Sequence, residues 1–223
     1  MAARISTETG PVDTVLRDLD GTLTDPKRGI TQCIAHALSQ MGATVPSTDN
    51  LPFAIGPPLR NSFAALLNTN DIATIERAMV LYRERFATVG LFENEVYAGV
   101  PEMLVTLKTR DLRLFLATAK PDVYATRNLA HFALHAPFAA VYGPALDGTL
   151  QNKSDLLANL FASEKLAPSQ AVMVGDRAHD IDAAHANGCR AIGVTWGYGG
   201  REALRDANML CHMPVELPEC TWQ

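Results

Sequence analysis

Residues 15–25 read VLRDLDGTLTD, an apolar lead-in running into two aspartates one residue apart, then Gly21 and Thr22. The apolar stretch 12–17 predicts a short buried strand, and the polar DGTLTDPKRG that follows predicts a loop, punctuated by Gly21 and Pro26. Asp18 and Asp20 therefore fall at the carboxyl end of a strand. Carboxylates held that close repel unless something compensates them.

Outward from this strand the pattern divides. A helical pattern runs from Ile30 to Met41, a second helix is predicted after GPPL, and Ile72, Ile75, Met79, Tyr82 and Phe86 recur at steps of three and four. This middle region carries no convincing strand. After Asn94 the character changes. Val100, Met103, Leu104 and Leu107 mark one helix face, and LRLFLAT reads as a strand. Helices near 121–134, 153–165 and 178–187 then alternate with strands AAVYG, AVMVG and RAIGV. Such alternation predicts a parallel sheet with helices on both faces. The expected architecture is a Rossmann-like, three-layer α/β core made of residues 1–24 and 97–223, with an all-helical insertion at 25–96.

In an open parallel sheet, ligands bind in the crevice beyond the carboxyl ends of the strands. The residues expected there are Asp18 and Asp20, Thr118 and Lys120 after LFLA, and Gly175, Asp176 and Asp180 after AVMV, with Lys153 ahead of a helix and within reach. At ~4 Å and an effective dielectric near 20, each like-charge pair costs roughly 4 kcal/mol. Convergent carboxylates without a Cys or His cluster imply a hard divalent cation, and Mg²⁺ is the natural candidate. A carboxylate can also act as a nucleophile toward phosphorus. Lys153 and the Thr118 hydroxyl would then serve the phosphoryl oxygens, helped by loop amides around residues 19–22. Asp20 is placed as the proton donor and acceptor, its pKa raised by a neighbouring carboxylate.

Composition narrows the partners. With 48% hydrophobic and 19% charged residues in 223, the chain can bury a sizeable core, and its formal net charge of −5 argues against a nucleic-acid-binding face. Cys33, Cys189, Cys211 and Cys220 make no C-x-x-C spacing and read as reduced, mostly buried thiols. MAARISTETGPVDT lacks the apolar core of a signal peptide, and no apolar run is long enough for a membrane span. A cytoplasmic location, with no membrane contact, is expected.

Taken in order, DLDGTLTD, ATAK, a downstream NK and GDRAHD resemble the motifs of the haloacid dehalogenase superfamily of phosphatases, over nearly the whole chain. The helical insertion resembles that family's cap domain. IGPPL, GLFENEVYAGV and GDRAHD resemble the phosphoglycolate phosphatase-like branch, to whose close relatives 5′-nucleotidase and phosphotyrosine activities are also attributed. The resemblance implies a Mg²⁺-dependent hydrolase of a small phosphate ester; the sequence leaves monomer and homodimer both open. It implies Asp18 as nucleophile and Asp20 as general acid and base. Thr118 and Lys153 would bind phosphate, joined by Ala119 and Gly21. The metal would be held by the Asp18 side chain, the Asp20 backbone carbonyl and Asp176, with Asp180 in or next to the ligand set. Two other classes share these motifs: a phosphomutase, and a phosphate-binding protein without activity.

Each motif has a plainer competitor. DLDGT can be an ordinary Asx turn, though the strand ahead of it favours the site. An EF-hand loop is excluded, because Gly21 stands fourth where that loop needs glycine sixth, and Gly29 stands twelfth where it needs Glu. GDRAHDID can be a helix start that favours acids. His179, Asp182 and His185 lack the distant histidines of a His-Asp metal site and read as orienting or surface residues. In the insertion, Arg60 follows GPPL and reads equally as a substrate contact or a surface arginine, whereas Lys27, Arg83 and Arg85 read as solvated. Arg17 departs from the family, which usually carries an apolar residue just before the nucleophile. A buried guanidinium there needs an acid or carbonyl partner, or an escape to the sheet's edge.

Overall fold

The computed structural model describes residues 11–221. Among them, β1 (Thr14–Arg17) opens the chain and a two-residue β2 (Thr24–Asp25) follows. The helices α1 (Lys27–Gln40), α2 (Leu59–Leu66) and α3 (Ile72–Arg85) come next, before the equally short β3 (Glu95–Val96). Alternation then begins with α4 (Val100–Thr109), β4 (Arg113–Ala117), α5 (Asp122–His131) and β5 (Ala140–Tyr142). It continues through α6 (Lys153–Glu164), β6 (Ala171–Gly175), α7 (Ala178–Ala186) and β7 (Arg190–Val194). A short α8 (Gly200–Ala203), β8 (Met209–Cys211) and α9 (Leu217–Cys220) finish it.

Six strands form one parallel sheet in the order β5-β4-β1-β6-β7-β8. The chain winds one way from β1 through β4 to β5, then crosses back to β6 and runs the other way. β1 is thus the switch point, where the crevice beyond the carboxyl ends opens. The alternation of side chains explains the layers. Val15, Leu114, Leu116, Val172 and Val174 pack with α4 and α5 residues such as Val100, Leu104 and Leu129. Their neighbours Leu16, Phe115, Ala117 and Met173 face the other way, onto Leu157 and Leu160 of α6 and Ile181 and Ala184 of α7. Helices cover both faces, which is why the strands read as continuous apolar runs rather than alternating ones.

The insertion has its own apolar cluster, built from residues between Ile30 and Leu91, with Ile34, Leu38, Leu51 and Phe63 fully buried. It hangs from the core on the antiparallel pair β2 and β3, registered Thr24 to Val96 and Asp25 to Glu95. That ribbon has no counterpart in the sequence reading, because two residues per strand are too few to show a period. The first strand is also shorter than 12–17, beginning at Thr14. Residues 1–10, where the signal-peptide reading falls, lie outside the described residues. Among the described residues no helix is long and apolar enough to cross a membrane.

Arg17 escapes neither to the sheet's edge nor to an acid. It lies on the central strand with 0% exposure and faces α4, where its Nη1 donates to Met103 Sδ. Nε and Nη2 have no hydrogen-bond partner. Burial pushes the guanidinium down to about 9, with Cys211 nearby opposing the shift.

Candidate active site

Adjacent strands bring the first and last motifs together. Asp18 follows β1, its backbone N–H donating to Val174 O of β6 at 2.9 Å, and Asp176 follows β6 directly. Asp180 stands in the first turn of α7, where its Oδ2 accepts from Arg177 N at 3.0 Å. Oxygens of Asp18, Asp176 and Asp180 all lie within 4.8 Å of one another, and all three residues are buried.

Lys153 closes the cluster. It is the first residue of α6, whose start is fixed by Asn152 Oδ1 accepting from Ser154 N at 2.8 Å and Asp155 N at 3.3 Å. Its Nζ is 2.9 Å from Asp18 Oδ1 and also hydrogen-bonded to Asp180 Oδ1. Burial alone would lower the Lys153 ammonium, but Asp18 and Asp180 reverse that and hold it raised. Burial penalises Asp180 as well, and there Lys153 prevails, keeping the carboxyl below its usual range. Asp18 goes the other way. Burial raises it, Lys153 only partly opposing. Burial, then the charges of Asp180 and Asp18, push Asp176 up to about 7.

Three buried carboxylates with one lysine among them leave negative charge uncompensated, and Asp176 Oδ1 is buried without a hydrogen-bond partner. The donor set is all oxygen. It fits a hard divalent cation. Gly21 has φ +87°, and a Cβ there would collide with Asp176 Oδ2. Only glycine lets the first loop approach the last motif this closely.

The other expected residues divide. Asp20, Thr118, Ala119 and Arg60 line a cavity, open to solvent, between the strand ends and the insertion. The Thr118 hydroxyl accepts from Lys120 N at 3.2 Å. Arg60 is ion-paired with Glu76 of α3. Asp20 is not among the three clustered acids, and its ionic partner is Lys120, Nζ to Oδ1 at 2.7 Å, rather than a carboxylate. Gly21 N donates to Thr24 O and Thr22 N to Leu19 O, so these two amides serve the loop's own turn instead of pointing to a ligand. Arg85 is not solvated: it makes a two-pronged ion pair with Glu93 at 2.7 and 3.1 Å. Arg83 lines the cavity and reaches Leu146 O at 3.4 Å. His185 pairs with Asn208 at the surface, and His179 Nε2 lies 3.7 Å from Asp180 Oδ1.

The chain matches the model of the haloacid dehalogenase-like hydrolases over residues 15–194. The chain belongs to that family. A 5′-nucleotidase of Pseudomonas aeruginosa is 44% identical over 203 residues, 91% of each chain. Phosphoglycolate phosphatase 1 of the same organism is 30% identical, over 88% of this chain and 74% of its own. The tyrosine-protein kinase PtkA of Mycobacterium tuberculosis is 40% identical over 83% of this chain but only 62% of that protein. The crystal structure of a predicted phosphatase from Clostridium acetobutylicum superposes with TM-score 0.90 at 37% identity, covering 95% of this chain and 98% of that one. This haloacid dehalogenase-like hydrolase is a phosphatase.

Within the hydrolase, three features had no distinct signal in the sequence. Lys120 was visible as a strand-end lysine, but not as the partner of Asp20. Tyr198 N donates to Asp176 Oδ2 at 2.7 Å while its hydroxyl donates to Asp25 in β2. The cavity wall is aromatic: Tyr82 and Phe86 stack with centroids 5.1 Å apart, and Tyr124 meets Phe86 edge-on at 5.5 Å. The steps of three and four in α3 announced a buried face, and part of that face lines the cavity.

Proposed function

We propose that the protein hydrolyses a small phosphomonoester with Mg²⁺, by way of a phosphorylated Asp18. The observation that carries this reading is the gathering of Asp18, Asp176, Asp180 and Lys153 at the strand ends, with Asp18 and Asp20 also lining the cavity. Asp18, Asp176 and Asp180 would hold the ion, with the Asp20 carbonyl. Bound there, Mg²⁺ supplies the positive charge that lets an anionic carboxylate approach an anionic phosphate.

In the first step an Asp18 carboxylate oxygen bonds to phosphorus as the bond from phosphorus to the ester oxygen breaks. Asp20 gives its proton to the departing oxygen. Lys153 and Thr118 hold the phosphoryl oxygens and offset the charge that builds on them. In the second step Asp20 takes a proton from water, whose oxygen attacks phosphorus. The bond from phosphorus to Asp18 breaks, releasing inorganic phosphate and restoring the carboxylate. Residues 25–96 act as a cap that shuts bulk water out.

Phosphoglycolate is the substrate the motifs first suggest, and the related phosphatase at 30% identity agrees with it. The lining favours another member of the same class. Tyr82, Phe86 and Tyr124 offer an aromatic, largely apolar wall that glycolate cannot fill. A nucleoside monophosphate or aryl phosphate can, and the relative at 44% identity is named a 5′-nucleotidase.

Phosphate release from phosphoglycolate, nucleoside monophosphates, phosphotyrosine and sugar phosphates, with Mg²⁺ and no added acceptor, tests the reading. The flat esters should lead in kcat/KM. Asp18→Asn should abolish turnover; retained turnover in that variant removes the mechanism.

A further inference from the structure

The side chain of Arg177 ties the loop that follows the first insertion helix to the core. Arg177 stands between Asp176 and the start of α7. Its Nη2 donates to Pro52 O at 3.2 Å and also to Ile55 O, more than 120 residues away in sequence. Pro52 and Ile55 bound a single helical turn, with Ala54 N on Leu51 O at 3.0 Å and Ile55 N on Pro52 O at 3.1 Å. Directly after it, Gly56, Pro57, Pro58, Leu59 and Arg60 line the cavity. Gly56 has φ +98°, and a Cβ there would come within 2.9 Å of Arg177 Nε. The chain is thus shaped to let the guanidinium in.

The same residue faces the acidic cluster. Its backbone N–H holds Asp180, and Nε lies 3.8 Å from Asp176 Oδ2. Nε is buried without a hydrogen-bond partner, so the grip on the two carbonyls is the work of Nη2.

We infer that Arg177 is a positioning residue for substrate recognition: it clamps segment 52–55 to the core, and so sets where Gly56–Arg60 stand over the phosphate site. It touches no reacting atom. Carbonyl oxygens accept well from a guanidinium because the donor is charged and planar. Free of the clamp, the segment would swing on Gly56 and carry the stiff Pro57–Pro58 pair with it, so that substrate would meet a displaced wall. Only the kinetic arm of the test below rests on the phosphatase reading.

The test uses Arg177→Ala, Arg177→Lys and Gly56→Ala, each checked for a wild-type melting profile. Backbone hydrogen exchange reads the clamp without any substrate. In Arg177→Ala the amides of Ala54 and Ile55 should exchange about tenfold faster or more, while those of β1 and β6 stay unchanged. On p-nitrophenyl phosphate with saturating Mg²⁺, KM should rise about tenfold with kcat within about threefold. Gly56→Ala should show the same split, and Arg177→Lys should recover part of it. Unchanged exchange at Ala54 and Ile55 overturns the inference. So does a fall in kcat with KM constant and a raised Mg²⁺ requirement, which would mean that Arg177 acts through Asp176 and Asp180 alone. If the wild-type protein releases no phosphate, the proposed function fails while the exchange result still decides the clamp.

Discussion

Lys120 Nζ lies 2.7 Å from Asp20 Oδ1 and 5.5 Å from the centre of the Phe86 ring. One ammonium therefore orients the proposed proton donor and touches the insertion above it. Both partners are nearly buried, with side-chain exposures of 4% and 11%, so water screens the pair little.

Lys120→Met should leave Asp20 without its ionic partner. Proton delivery would lose its alignment, and kcat should fall by about 10- to 100-fold, within the range that general acid–base catalysis contributes. Steady-state rates on one ester with a good and one with a poor leaving group would check this. The poor leaving group, which needs the proton, should suffer more.

Gly21→Ala introduces a Cβ at φ +87° and against the Asp176 carboxylate. The conformation alone costs about 1–2 kcal/mol. The collision adds to this by moving Asp176, so the variant should fold with reduced stability and lose most of its affinity for Mg²⁺. Titration calorimetry with Mg²⁺ provides the measurement. Wild-type affinity would contradict the placement of Asp176.

Mg²⁺ should stabilise the protein more as pH rises from 6 to 8. Burial, then Asp180 and Asp18, push Asp176 up to about 7, against about 3.9 for an unfolded aspartate. Between those values the metal-free native state holds the extra proton, so its stability falls as pH increases through this window. The same ionisation frees a ligand for the cation, which competes with the proton. Melting temperatures in EDTA and in Mg²⁺ at several pH values should diverge with pH. A difference that shrinks would count against Asp176 as a ligand.

Arg17→Met should stabilise the protein. The guanidinium is fully buried with Nε and Nη2 unpaired, and thioether for guanidinium is close to a volume-conserving change. Removing a buried, poorly paired charge is worth about 1–3 kcal/mol here, or roughly 2–4 °C in Tm per kcal/mol for a chain of this size. Urea unfolding of the two proteins measures it. A lower midpoint for the variant would show that Met103 satisfies Arg17 better than its lone hydrogen bond implies.

Sequence alone determined the sheet, the insertion and the residues at the strand ends. A short apolar run bounded by polar or turn residues marks where a buried strand stops, and in a parallel sheet every strand ends on the same side. Asp18, Thr118 and Asp176 were legible for that reason, and Asp180 and Lys153 because helix starts follow the strand and loop signals closely. The tertiary structure alone decided which of these residues meet. The sequence expectation for Asp20 was a carboxylate neighbour, whereas the fold supplies Lys120, a hundred positions later. Arg17 was expected to find an acid or a carbonyl, or to leave the core; it stays buried and donates to Met103 Sδ instead. Nothing local distinguishes Arg177 on the carbonyls of Pro52 and Ile55 from a solvated arginine. Backbone pattern is a property of neighbours along the chain, while a side-chain partner depends on how distant segments approach and on which rotamer their packing leaves open.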